Sequence, residues 1–214
     1  MTATTTIWIF IIDTSGSMST CDYPPTRLVA ACEALTEFVK ERRRAAPCDK
    51  VAIIAFSDNA SVKQDLISVE SQSAVVSALR RIKVDGGTNF ASGLREAETL
   101  LKRRLNPHRG LLSRVFGTDE SESGENNATT TRIVFCSDGH DYGSRNPVAI
   151  ARKMKATGIV VECIGIGGCP KDVDEKRLRA MASVGPDGRV FYRFIGDKQK
   201  LIQEFRRKGA IQIR

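Results

Sequence analysis

Aromatic residues make up only 6% of this 214-residue chain, and histidines number two, His108 and His140. A surface that stacks nucleobases needs aromatic side chains interleaved with basic ones. The few aromatics here do not interleave with the basic clusters, which weighs against a nucleic-acid platform. No apolar run approaches the roughly 20 residues that a helix needs to cross a bilayer. The apolar stretch at 7–12 has no basic residue before it and no cleavage-like end, so it reads as a strand, and the protein as cytoplasmic. The six cysteines, at 21, 32, 48, 136, 163 and 169, form no C-x-x-C pair, which points to reduced thiols and not to zinc or a disulfide framework. The sequons at Asn59 and Asn127 are then chance matches. There is no P-loop and no visible nucleophile–base pair, so an enzyme is not expected.

What the chain has is a formal charge of +8 and a pI near 9.4, a balance that favours acidic partners. Its basic residues gather in KERRR (40–44), KRR (102–104) and RRK (206–208). Those are helix ends, where cations complement the dipole, and they read as solvated faces.

Strands and helices alternate along the sequence. Apolar runs at 6–12, 51–56, 132–137 and 159–166 lack alternation, as suits strands covered on both faces. VFYRF (190–194) is a further strand, and SVKQDL (61–66) alternates weakly, as an edge strand returning antiparallel does. Helical spacing marks 26–44, 71–82, a segment from the DGGT turn to about 104, 146–157, 174–183 and 197–208, with Thr26 as an N-cap. The expected fold is α/β, doubly wound and Rossmann-like, with a mostly parallel sheet of about six strands, one antiparallel edge and helices on both faces. One domain spans 1–214, interrupted at about 105–130 by an acidic, Ser-, Asn- and Gly-rich tract that reads as a disordered insertion.

Polar clusters fall at the strand ends. DTSGS (13–17) follows the first strand, SDGHD (137–141) follows RIVFCS, and Thr88 follows two glycines just before a helix. An acid protease would need a second DTG turn, which is missing. A phosphatase using Asp13 as nucleophile would need a second aspartate where Ser15 stands. A divalent-metal site accounts for every residue: Mg²⁺ prefers oxygen ligands in near-octahedral geometry and keeps several waters. Serine hydroxyls two residues apart can be direct ligands, and carboxylates at two strand ends can hold waters and balance charge.

With these three parts in this order, the chain resembles von Willebrand factor A domains with a metal-ion-dependent adhesion site. Asp13-Thr14-Ser15-Gly16-Ser17 is similar to the family's D-x-S-x-S loop, Thr88 to its single threonine, and Asp138 to its strand-end aspartate. The resemblance covers roughly residues 5 to 208. It implies that Ser15, Ser17 and Thr88 ligate Mg²⁺, with Mn²⁺ or Ca²⁺ as alternatives, while Asp13 and Asp138 act mainly through water. It also implies a protein partner whose Asp or Glu completes the coordination. His140 and Asp141 are candidate rim residues, Asp141 being the one nearby group that could add a third carboxylate. The implied setting is that of stand-alone prokaryotic A-domain proteins, beside AAA+ ATPases or kinase and phosphatase partners in stress-response systems. The alternative is a nucleic-acid-associated protein using its basic surface. Two departures stand out: the loop from Met18 to Pro25 is longer than the family's usual step into the first helix, and the 105–130 tract is atypical.

Overall fold

The computed structural model describes residues 5–105 and 129–211. Six strands form one sheet: β1 (Thr5–Asp13), β2 (Lys50–Phe56), β3 (Ala60–Ser68), β4 (Thr129–Ser137), β5 (Val160–Ile166) and β6 (Tyr192–Ile195). Their order is β3-β2-β1-β4-β5-β6, and all pairings are parallel except β2 with β3. This is the expected doubly wound, mostly parallel sheet with one antiparallel edge. The helices are α1 (Arg27–Ala45), α2 (Gln72–Arg80), α3 (Phe90–Leu105), α4 (Pro147–Ala156), α5 (Glu175–Met181) and α6 (Lys198–Ala210).

The unbroken apolar run of β1 follows from its central position. Side chains alternate across a strand, so a strand covered on both faces must be apolar at every position. Trp8, Phe10 and Ile12 pack with α1, α2 and α6, while Ile7, Ile9 and Ile11 pack with α3, α4 and α5. Phe38 of α1 meets Trp8 and Phe10 edge-on, with ring centroids 4.9 and 4.8 Å apart. On the other face Phe56, Phe90 and Phe135 form a triangle of rings 4.9 to 6.1 Å apart. Burying one such side chain contributes about 2 kcal/mol, so these two layers carry much of the fold's stability.

Two readings need correction. The KERRR cluster is not wholly a solvated face: Arg42 is buried and pairs with Asp49, whereas Arg43 and Arg44 stay exposed. The strand expected at 132–137 begins at Thr129, because Thr129 to Thr131 pair with Thr5 to Ile7 of β1. Residues 129–130 therefore belong to the sheet and not to the insertion, and the remainder of that tract, 106–128, lies outside the described residues.

Chain order fixes where a cleft forms. From β1 the chain steps outward to β2 and β3, then returns to lay β4 on the opposite side of β1. The crevice beyond the carboxyl ends of β1 and β4 is thus the topological switch point, where open α/β sheets bind ligands.

Candidate functional site

Asp13 ends β1 and is fully buried. Its Oδ1 accepts from the Ser15 amide at 2.8 Å, a local turn that curls the chain back, and its Oδ2 accepts from Ser137 Oγ at 2.5 Å, which ties β1 to β4. Residues Gly16–Ser19 then form a short 3-10 turn. It leaves Ser15 Oγ 3.1 Å from Ser17 Oγ, and Ser17 Oγ donates to Asp138 Oδ1 at 2.7 Å. The third loop is fastened to the first by two backbone bonds, Gly16 N to Gly86 O at 3.1 Å and Asp85 N to Thr14 O at 2.7 Å. Gly86 has φ +64, and a Cβ there would fall 2.5 Å from Asp58 Oδ2. Only glycine suits that turn.

Thr88 is buried and is not the cap of α3: Asn89 Oδ1 accepts from Ser92 N at 3.3 Å. A Cβ on Gly139 would stand 3.0 Å from Thr88 Oγ1 and 3.7 Å from Ser17 Oγ. The bare Cα of Gly139 therefore lets the three loops meet. Asp13, Ser15, Ser17, Thr88 and Asp138 thus come together beyond the carboxyl ends of β1 and β4, Ser17 exposed and the other four buried.

The two candidate rim residues do other work. Asp141 Oδ1 accepts from Phe90 N at 2.9 Å and Gly143 N at 3.1 Å, and its other oxygen pairs with Arg177. It anchors the start of α3. His140 is exposed, with Nε2 3.2 Å from the Lys171 carbonyl oxygen.

Sequence reasoning missed Arg27, the first residue of α1. Its Nη1 lies 3.0 Å from Asp138 Oδ2, its Nη2 2.6 Å from Asp22 Oδ2 and 3.4 Å from Asp172 Oδ2. A cation at a helix N-terminus opposes the dipole, so an arginine directly after a Thr N-cap needs carboxylates from elsewhere. That was the available signal. The long loop before it is pinned by Met18 and Tyr23, both fully buried, and the Tyr23 hydroxyl sits between the Ile195 carbonyl and Gly167.

Burial is the largest influence on both site carboxyls. It raises Asp13 to about 6 against bonds from Ser137 and Ser15 that favour the anion. It also raises Asp138, offset by Ser17 and Arg27. A carboxyl raised from 3.8 to about 6 holds a proton in the folded chain that the unfolded chain has released. Stability from this group therefore falls as pH rises through that window. Asp13→Asn removes the charge and keeps an acceptor for Ser15 N. It is expected to be more stable than the parent chain at pH 8, by up to about 3 kcal/mol, with the gap closing below pH 4. Urea unfolding at both pH values checks this, and an equal gap at both would refute it.

The expectation of Mg²⁺, with Mn²⁺ or Ca²⁺ as alternatives, is corrected here. Among the described residues no group of three or more His, Cys, Asp or Glu side chains comes together to hold a metal ion. The cleft floor has two carboxylates: Asp13 is bonded at both oxygens to protein donors, and Asp138 already has a cation beside it in Arg27. The donor set does not fit a resident metal. The serine hydroxyls meet each other and Asp138. The cleft's chemistry is hydrogen bonding.

The family model for the von Willebrand factor type A domain matches residues 8–140. Among solved structures, a von Willebrand factor type A protein from Catenulispora acidiphila is 23% identical with a TM-score of 0.69, over 97% of this chain and 42% of that one. Proximal thread matrix protein 1 from the mussel byssus is 17% identical with a TM-score of 0.67, over 97% of this chain and 45% of that one. This chain thus spans less than half the length of either protein. The SpRpn10 VWA domain is 20% identical with a TM-score of 0.66, over 92% of this chain and 94% of that one. At such identities the likeness concerns the fold, while the family match rests on the sequence from the first strand through the strand-end aspartate. The chain belongs to the von Willebrand factor type A domain family, whose members are interaction modules and not catalysts.

Proposed function

We propose that this chain is a protein-interaction module that meets its partner with the loop face around Ser15, Ser17, Thr88 and Asp138. The observation that carries the reading is the placement of these groups: three loops deliver hydroxyls and a carboxylate to one cleft at the switch point of the sheet. Family membership supports binding over catalysis. The partner presents hydrogen-bonding side chains to Ser17 and Thr88. An adaptor role beside an ATPase or a kinase–phosphatase pair is the setting that the family resemblance suggests. Nucleic acid is the weaker reading, since most of the helix-end cations face carboxylates of their own chain.

The test begins with a photo-crosslinking side chain at Ser17 to capture the partner, followed by affinity measurements on Ser17→Ala and Thr88→Val. Each is expected to weaken binding about tenfold, or about 1.4 kcal/mol, and binding is expected to be the same with and without EDTA. Unchanged affinity in both variants would place the interface elsewhere. A steep fall of affinity with salt for an oligonucleotide would favour the nucleic-acid reading.

A further inference from the structure

A second surface lies on the far side of the sheet from β3. Among the described residues strand β6 pairs only with β5, which leaves its other edge without a partner strand there. Cys163 is in register with Tyr192, and Cys163 N donates to Phe191 O. In a parallel ladder this register turns the amides and carbonyls of Tyr192 and Phe194 away from β5. Two clefts, each about 510 Å³, share Arg193, Glu204 and Arg207: one reaches from β6 across to Trp8 of β1, Arg132 of β4 and Glu162 of β5, and the other lies between β6 and α6. The second cleft follows the strand, with Arg193 through Gly196 along one side and Lys200, Gln203, Glu204 and Arg207 along the other.

The groove carries surplus positive charge. Glu162 faces Arg132 at 2.7 Å and also Lys208, while Glu204 faces Arg193 at 3.0 Å and Arg207 at 2.8 Å. Two carboxylates thus serve four cations. Arg193 and Arg207 have more than half of their side chains exposed, and each guanidinium has five N–H donors. Arg189 and Lys200 flank them from the rim but add no surplus, since Arg189 pairs with Asp187 at 3.4 Å and Lys200 with Asp197 at 2.9 Å.

We propose that this groove binds an extended acidic segment of a protein partner, which adds to the open edge of β6 as a further strand and sets Asp or Glu side chains against Arg193 and Arg207. The backbone of such a segment satisfies the unpaired groups of Tyr192 and Phe194, and its carboxylates match the surplus charge. A second copy of this chain would bring Arg193 against its own like charge, the usual device by which an edge resists pairing with itself. A phosphodiester backbone offers anions but no alternating donors and acceptors for a strand edge. The site is separate from the loop face, which lies beyond the carboxyl ends of the strands.

The experiment measures fluorescence anisotropy of a short labelled peptide alternating Glu and Val, titrated with the full chain. A second peptide has the same side chains with alternate amides N-methylated. Saturable binding of the first peptide is expected, about tenfold weaker for the methylated peptide and for Arg193→Ser and Arg207→Gln made singly. Each single variant leaves Glu204 one arginine partner, and circular dichroism checks that both fold. Equal affinity for the two peptides would overturn strand addition. Affinity unchanged in both variants, or no saturable binding, would overturn the site.

Discussion

Asp49→Ala is expected to lower the stability of the chain by about 3–5 kcal/mol, the usual cost of leaving one half of a buried ion pair alone. Asp49 is fully buried just before β2 and accepts three bonds: from Thr6 N at 2.8 Å, from Trp8 Nε1 at 3.0 Å and from Arg42 Nε at 2.5 Å. Its removal leaves a guanidinium whose side chain is 3% exposed with the Gly209 and Ile211 carbonyls but no carboxylate, and deprives two N–H groups of their acceptor. Urea unfolding reads the loss as a shift in midpoint at unchanged slope. A loss under about 1 kcal/mol would mean that water reaches Arg42. Asp49→Asn separates the charge from the hydrogen bonds, since it retains one acceptor; it is expected to fall between the parent and the alanine variant.

Arg27→Met is the second large effect, of about 3–5 kcal/mol at pH 8. Asp138 then loses its only cationic partner among the described residues while its side chain stays wholly buried. Burial already raises this carboxyl, and Arg27 is among the groups that hold it down. Without Arg27 it rises further, so the folded variant takes up a proton that the unfolded chain lacks. Stability of the variant therefore falls as pH rises above the ordinary carboxyl range. The deficit is expected to be smaller at pH 5 than at pH 8. Adding Asp138→Asn to Arg27→Met should recover much of the loss, and the double-mutant cycle measures the coupling. If the two changes add independently, Arg27 does not act through Asp138.

These two arginines mark the boundary of what the sequence disclosed. Strands buried on both faces announce themselves, because nothing but apolar side chains fits there, and β1, β2 and β5 were legible for that reason. The loop motifs were legible because hydroxyls and carboxylates at strand ends have few other uses, and the structure brings Asp13, Ser15, Ser17, Thr88 and Asp138 to one cleft. The metal read from them is overturned, because charge balance depends on residues that sequence spacing does not connect. Arg27 reaches Asp138 across 111 positions. Asp141 looked like a rim group from its place after the motif, yet it is drawn toward Arg177 and the first turn of α3. The start of β4 was hidden by composition: three threonines resemble a loop until β1 offers them partners.

Helix α1 joins the two arginines, Arg27 in its first turn and Arg42 in its last. Its 19 residues span about 28 Å, and each end is bolted to a different carboxylate, Asp138 above the sheet and Asp49 below it. The helix is a tie-rod. A slide along its axis strains one pair or the other. The height of the loop face above the sheet is therefore set by a fixed length of helix, against which the turn that carries Ser17 rests.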